Sequence, residues 1–468
     1  MPRKKEMPIV RLYNSLSGRL EAVKPSGDNL VRIYACGPTV YDYAHIGNLR
    51  KYIFDDVLVR TLKYFGYKVK HVMNITDVGH LTSDEDTGED KIEKGARREG
   101  KTAWEIARFY EKAFFDDLKE LNILRSDLTP RATDNIEEQI ALVKILEEKG
   151  LTYKTLDGIY FDTGKFASYG RLGGIKVEGQ LEGTRVEKNP QKRHSADFAL
   201  WKFSPKGERR QMKWPSPWGV GFPGWHVECS AMSHKYLGRS FEIHTGGVDH
   251  LAVHHNNEIA QSEAAYGVVP AKIWLHSEFV LQDSAKMAKS AGHFIRLRDL
   301  EKNGFEPLDF RSLCLLTHYR SKLNFTVEAL QNARNVRLGW KSYIYETSDE
   351  GGEKKFFDEA LEGIVGKMAA DLDTPNALTI LSKTLGLSRR ESRQGKSRRE
   401  FLQKVDEIFG LDLSVKKAVP TEVKELVEKR KKLRDKGQFA EADKVRDKIA
   451  KHGWAVEDRE KGTVVVER

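Results

Sequence analysis

The chain has 468 residues, 39% of them hydrophobic and 32% charged, with a formal charge of +10. That length, about three times a typical domain, predicts several domains, and the composition excludes a collagen-like, low-complexity or wholly disordered protein. No run of some 18 apolar residues is present, Arg11 breaks the short apolar stretch near the start, and three cysteines are too few for a disulfide framework, so a soluble cytoplasmic protein with no signal peptide and no membrane segment is expected. The basic excess suits a polyanion such as nucleic acid, and equally a plain solvated surface.

Leu30 to Ala35 reads as a buried strand ending at Cys36-Gly37-Pro38. From Ile46 the apolar residues Leu49, Ile53, Val57 and Leu58 recur at helical spacing, predicting an amphipathic helix toward Tyr64. Gly66 stops it, and Val69 to Ile75 is a second strand. Strand, helix and strand together favour a parallel sheet, whose ligands sit outside the carboxyl ends of its strands, where Cys36 falls. Between about Pro130 and Asn189 the pattern changes. A helix over Asn135 to Lys149 leads into two apolar runs joined by Asp157-Gly158, a hairpin signal that reads as a separate insert.

Gly219 to Gly224 matches the dinucleotide G-x-G-x-x-G spacing, but it follows Trp214-Pro215-Ser216-Pro217 rather than a strand, and Pro223 interrupts the required helix start. It is not a nucleotide fingerprint. The sheet resumes with a strand over Phe241 to His244 and a helix over Asn256 to Tyr266, and from about Leu323 the pattern is mostly helical. Arg389 to Arg399, basic and Gly-containing, reads as a flexible loop, a solvated connector more readily than a phosphate-contacting patch. Val415 to Pro420 is a linker into a small final module, Thr421 to Arg468.

Two groups of residues carry chemistry. Cys36 closes the first strand, Cys229 lies in Gly224-Trp225-His226-Val227-Glu228-Cys229, and His254 and Glu258, four apart, share one helix face. Two thiolates, an imidazole and a carboxylate form a plausible tetrahedral set for Zn²⁺, although neither C-x-x-C nor H-E-x-x-H is present. The plain alternative is two small buried cysteines and a helix-surface pair; Cys314, among leucines, is packing. The second group begins at His45-Ile46-Gly47-Asn48, where a helix N-terminus favours phosphate, Gly47 permits close approach and His45 can donate. Lys286 and Lys289 put two cations in a loop before Gly292, suited to polyphosphate. Gly246 and Gly247 follow a strand and leave room for a nucleotide, with Asp249 free for a ribose hydroxyl.

Taken in order, Ala35-Cys36-Gly37-Pro38-Thr39-Val40-Tyr41-Asp42, His45-Ile46-Gly47, Asn74-Ile75-Thr76-Asp77, Pro223 to Met232, His254 to Gln261 and the Lys286 to Ser290 loop resemble the cysteinyl-tRNA synthetases, a family of class I aminoacyl-tRNA synthetases, over nearly the whole chain. The resemblance implies an α/β protein: a Rossmann-like parallel-sheet catalytic domain with an insert, then a helical bundle and a small C-terminal anticodon-binding module. The corresponding boundaries are 1–130 and 196–300 for the catalytic halves, 131–195 for the insert, 301–330 for a stem-contact region, 331–415 for the helical domain and 416–468 for the anticodon module. It implies one zinc ion on Cys36, Cys229, His254 and Glu258. It also implies His45 and Lys289 at ATP, with Mg²⁺; on physical grounds Asn48 and the helix N-terminus are expected to join them as phosphate donors, with Lys286 a second choice, beside Gly37, Thr39, Gly47, Gly246 and Asp249.

The resemblance further implies Thr76 and Trp225 at the amino-acid pocket, Trp225 being otherwise core packing. In the tail, Arg434, Phe439, Asp443 and Arg446 would face tRNA, Phe439 stacking on a splayed base. The structural alternative, a charged helix pair with Phe439 in its core, is preferred for that residue. Two positions depart from the family pattern: Asn48 stands where a second histidine is usual and Ala288 where serine is usual. Asn48 can still donate a hydrogen bond but carries no charge. The implied activity is that of a monomeric ligase joining L-cysteine to tRNA(Cys) at the expense of ATP, with no editing domain. A ligase joining cysteine to a sugar amine would have no reason for the tail, and a silent RNA-binding paralogue would be expected to lose His45, Lys289 or a metal ligand.

Overall fold

The computed structural model describes residues 7–79, 90–174, 190–204, 210–282, 285–286, 294–346, 353–391, 395–459 and 462–467. The chain divides into two compact units, one of residues 1–304, 319–324 and 369–372, the other of 305–318, 325–368 and 373–468.

At the centre of the first unit lies a four-stranded parallel sheet in the order Ala271–Ser277, Phe241–Gly247, Leu30–Ala35, Lys68–Met73. Val31, Ile33, Tyr34 and Ala35 are all fully buried, as a parallel strand covered on both faces requires. Ala35 pairs with Met73 on one side and Thr245 on the other. The chain leaves Leu30–Ala35 toward one neighbour and returns 200 residues later to the other, so a crevice opens beyond Ala35, where the direction of winding changes. The helix Ile46–Tyr64 connects the first two strands as expected, but it is not amphipathic: buried positions run all round it and include Arg50, Lys51, Asp55, Asp56 and Arg60. Four of these charges are paired within the helix, Lys51 Nζ with Asp55 Oδ2 at 2.7 Å and Arg60 Nε with Asp56 Oδ2 at 2.8 Å, while Arg50 Nη1 donates to the Glu278 and Phe279 carbonyls at 3.0 and 2.7 Å. Burial of paired ions is what the apolar spacing alone could not reveal.

The hairpin signal is met by antiparallel strands Thr152–Lys154 and Gly158–Phe161, with Tyr153 opposite Tyr160. They continue into Phe198–Phe203 and Gly221–Pro223, so this sheet extends past residue 195. The G-x-G-x-x-G segment is thus an antiparallel strand, as its rejection anticipates. Leu142, Val143 and Leu146 of the helix Ile136–Glu148 share a core with Phe161, Phe198 and Trp201.

The second unit contains the helices Pro307–Leu315, Val327–Tyr345, Lys354–Ala369, Thr374–Arg390, Lys396–Phe409, Thr421–Asp435 and Phe439–Lys451, and closes on a hairpin of Trp454–Arg459 and Gly462–Glu467. The basic stretch is helical at both ends, where a flexible loop is expected, and its middle, 392–394, lies outside the described residues. Arg389 and Arg390 finish one helix, and Arg398, fully buried, lies in the next. Arg389 and Arg398 both pair with Glu346 and both sit over the Tyr343 ring, at 4.0 and 5.4 Å. Among the described residues no helix is long and apolar enough to cross a membrane.

One buried histidine makes stability depend on pH. His71, in the strand Lys68–Met73, has an Nε2 without a hydrogen-bond partner, and burial pulls its pKa down to about 4 despite Asp55, Asp127 and Asp56, with Lys51 acting in the same direction as burial. The unfolded chain takes up this proton near pH 6.5, so the stability is complete above that pH and is lost as pH falls toward 4. Urea denaturation at pH 7 and pH 5 should show His71→Gln losing about 2 kcal/mol less than the unmodified chain over that interval. Equal losses would remove His71 as the cause.

Candidate functional site

The four candidate metal ligands are placed by three elements. Cys36 follows the strand Leu30–Ala35 directly, its N–H donating to the Thr245 carbonyl at 3.1 Å. Gly37 N–H then donates to Asn74 Oδ1 at 2.8 Å, and a Cβ at residue 37 would lie 1.5 Å from the Asn74 carbonyl oxygen, so only glycine lets the two strand ends meet. Cys229 is in the second turn of the helix Trp225–Leu237, and His254 and Glu258 share one face of His254–Tyr266, with Nε2 and Oε1 3.0 Å apart.

The ligand atoms of Cys36, Cys229, His254 and Glu258 all lie within 4.8 Å of one another, and all four residues are buried. Tetrahedral zinc, with Zn–S ~2.3 Å and Zn–N ~2.0 Å, sets its ligands roughly 3.3–3.8 Å apart, within small side-chain adjustments of this arrangement. A second overlapping group, Cys36, His244, His255 and Glu258, meets the same distance limit. The first group uses both thiols, the soft donors that favour zinc. It also leaves His244 Nε2 at 2.9 Å from Glu258 Oε2, where it can hold the carboxylate from outside. His226 Nδ1 faces His254 Nδ1 at 2.8 Å, which frees His254 Nε2 for the cluster. His255 Nε2 stands 3.4 Å from Cys36 Sγ, and its Nδ1 is 2.8 Å from His276 Nε2. Sequence reasoning missed His244 and His255. Their only local signals were a histidine two residues before Gly246 and a doubled His254-His255.

Burial works against charge here, yet the cluster remains charged. Desolvation opposes a Cys36 thiolate, but a hydrogen bond from Cys229, with His255 and His250 nearby, holds its pKa well below the usual thiol value. The same bond and burial push Cys229 up. Burial disfavours the His254 cation, but Glu258 and Cys36 raise its pKa to about 10; Glu258, despite burial, is drawn down to about 2 by His244 and His254. These are donors whose protons a divalent cation displaces on binding.

Beside the cluster, His45 caps the helix Ile46–Tyr64. Its Nδ1 accepts from Asn48 N–H at 3.3 Å, and Asn48 Oδ1 accepts from His45 N–H at 3.3 Å. Asn48 is therefore a capping residue in this chain, whatever else it does. Burial, against Asp249 and Asp42, pulls His45 down to about 4, so its imidazole is neutral with the proton on Nε2. A Cβ at Gly47 would come within 2.9 Å of the His45 ring, and one at Gly246 within 2.5 Å of His255, so these glycines make room for imidazoles of the chain itself.

Thr39 bridges to Thr76, whose hydroxyl accepts from Asn74 Nδ2 at 3.1 Å and donates to Glu228 Oε2 at 3.0 Å. The Trp225 ring, half-buried, lies 4.3 Å from His254, which makes it a wall of the cluster rather than remote core. Asp249 is exposed in the short helix Val248–Ala252. Lys286 falls in the strand Ala285–Lys286, and Lys289 and Ala288 lie outside the described residues.

Residues 22–335 match the family described as tRNA synthetases class I (C) catalytic domain, and 416–465 the cysteinyl-tRNA ligase anticodon binding domain. A cysteine–tRNA ligase 1 of Burkholderia lata is 46% identical over 97% of this chain and 96% of its own length. The chain belongs to the cysteinyl-tRNA synthetase family. A cysteine–tRNA ligase of Treponema denticola is 41% identical over 96% of this chain and 98% of its own. The fold is shared with methionyl-tRNA synthetase of Mycobacterium tuberculosis, at a TM-score of 0.59 and 14% identity over 82% of this chain and 92% of that one.

The part of the chain that matches the anticodon domain has its own core of Val423, Val445, Ile449, Trp454 and Val456. Phe439 is not in it. The ring is 59% exposed at the first position of the helix Phe439–Lys451, which overturns the core placement preferred from sequence. Arg434 sits 5.7 Å from that ring and 3.4 Å from Asp458, and Asp443 and Arg446 are exposed on the same helix as Phe439.

Proposed function

We propose that this chain is a cysteine–tRNA ligase that recognises its amino acid through zinc. One observation carries the reading: two thiols, an imidazole and a carboxylate drawn from three elements converge within 4.8 Å beyond the carboxyl end of the central strand. A zinc ion held there would supply a Lewis acid that takes the substrate sulfur as thiolate. Trp225 would wall that pocket, and Thr76, anchored on Glu228, would line its floor.

In the first step a carboxylate oxygen of cysteine attacks the α-phosphorus of ATP, and the bond to pyrophosphate breaks. In the second, a hydroxyl of the terminal adenosine of tRNA attacks the acyl carbon and AMP leaves. Charge develops on phosphate oxygens in the first step, so positioned donors do most of the work. The neutral His45 offers its Nε2 proton while its Nδ1 is held by Asn48. The Ile46–Tyr64 N-terminus, Lys289 and Lys286 would complete the phosphate site, Gly37, Thr39, Gly246 and Asp249 the rest of the nucleotide site, and Mg²⁺ would accompany ATP. Phe439, Arg434, Asp443 and Arg446 would meet the anticodon, the exposed ring stacking on a base and Arg434 lending positive charge. The 1–130 and 196–300 halves, the 131–195 insert, the 301–330 stem contact, the 331–415 helical domain and the 416–468 module are the corresponding division of labour. A single chain in the cytoplasm is the setting this reading implies.

The test separates the two steps. Cysteine-dependent ATP–pyrophosphate exchange should proceed without tRNA, and tRNA(Cys) should be charged with cysteine. Phe439→Ala should lower charging efficiency about 5–160-fold, the equivalent of one lost base stack of ~1–3 kcal/mol, and leave exchange unchanged. Charging unaffected by Phe439→Ala would remove that residue from the tRNA interface; no charging by the unmodified chain would end the ligase reading.

A further inference from the structure

Cys36 stands just beyond the last ladder pair of the central strand, where a peptide ordinarily loses its restraints. Its N–H keeps a partner in the Thr245 carbonyl. Its own carbonyl accepts from Lys51 Nζ at 2.6 Å, a buried contact that reaches across from the helix Ile46–Tyr64. Lys51 is in turn 2.7 Å from Asp55 Oδ2 one helical turn on, and the two side chains are 9% and 4% exposed. Among the described residues the Asp55 oxygens make no hydrogen bond of good geometry, so the ammonium of Lys51 is what compensates that buried charge.

A buried ion pair is weak evidence for stability, because an apolar pair of similar volume serves as well or better. This pair has a directional task instead. We infer that Lys51, oriented by Asp55, is a positioning residue that fixes the Cys36 peptide and thereby aims its Sγ for metal capture. The inference rests on the reading of Cys36, Cys229, His254 and Glu258 as a metal site. With the N–H held by Thr245, the carbonyl held by Lys51 and the next N–H held by Asn74 Oδ1, the peptide planes on both sides of Cys36 cannot rotate. The direction of its Cα–Cβ bond is then set before any metal arrives. Lysine suits the task, since a flexible stem carries a point donor to a single carbonyl oxygen.

The experiment uses the full chain and a neutral pair. Lys51→Met alone would strand a buried carboxylate and could unfold the protein, so the decisive variant is Lys51→Met with Asp55→Asn, which removes the clamp without leaving an unpaired charge. Zinc affinity is read by competition with a metallochromic chelator, ligand geometry from the visible spectrum of the cobalt-substituted protein, and substrate affinity from pyrophosphate exchange. The double variant should bind zinc about 10–100-fold more weakly, the usual cost of losing an outer partner of a metal ligand, with an altered cobalt spectrum. Its KM for cysteine should rise while its KM for ATP stays the same. A folded double variant with unchanged zinc affinity and cobalt spectrum overturns the inference and leaves the metal reading intact. Failure of the unmodified chain to bind zinc overturns both.

Discussion

Serine is expected to support ATP–pyrophosphate exchange at least ~10⁴-fold less efficiently than cysteine, with no editing activity needed to account for the difference. The two amino acids differ by one atom and by little volume, so a pocket that only measured shape could separate them by no more than 10–200-fold. Bonding to the distinguishing atom is a stronger device. A thiol with pKa near 8.5 is readily converted to a soft thiolate at zinc, whereas a hydroxyl would be a poor match for a zinc ion held, as proposed, by Cys36 and Cys229 sulfur. Discrimination should vanish together with activity when zinc is stripped, and both should return when it is restored. Exchange with serine within 200-fold of that with cysteine would reduce the site to a steric pocket and sink the metal account.

The second large effect is at Cys229. Cys229→Ser preserves size and packing in the helix Trp225–Leu237 yet should lower cysteine-dependent exchange by well over the ~10–100-fold that follows loss of an outer partner, because a proposed ligand itself is removed. Bound zinc, measured by elemental analysis after dialysis, should fall in parallel. The unfolding midpoint of the metal-stripped variant should stay close to that of the metal-stripped parent, since one buried sulfur is exchanged for one oxygen. A Cys229→Ser chain that retains a full equivalent of zinc and full activity would point instead to Cys36, His244, His255 and Glu258 as the ligand set.

How far the chain could be read from its residues depended on distance. Leu30–Ala35 and Ile46–Tyr64 are found at their expected limits because each is announced by its own local pattern: an apolar run closed by Cys36-Gly37-Pro38, and a recurring apolar spacing closed by Gly66. The four proposed zinc ligands could be set out from their donor chemistry, but only the resemblance chose that set over plain buried cysteines, since nothing within a short window links Cys36 to Cys229. His244 and His255 stayed hidden for the same reason: their relation to Glu258 and Cys36 exists only once the third strand lies beside the first. The two ends of the basic stretch were misread because their neutralising partner, Glu346, is more than 40 residues away. Phe439 was misassigned because helical spacing shows which residues can share a face, while Val445, Ile449 and Trp454 already fill the core.

The dispersal of the cluster along the chain bears on how the protein is made. The first thiol, Cys36, precedes its sulfur partner Cys229 by 193 residues (229 − 36). At about 5–20 residues per second, a ribosome needs roughly 10–40 s to deliver the second after the first. Throughout that interval the nascent chain carries the first sulfhydryl without the helices that bring Cys229, His254 and Glu258 beside it. Assembly of the pocket therefore waits until residue 258 of 468 has been added, and the ion that completes it would act as a clasp on a very long loop, tightening most where loop closure has cost the most entropy.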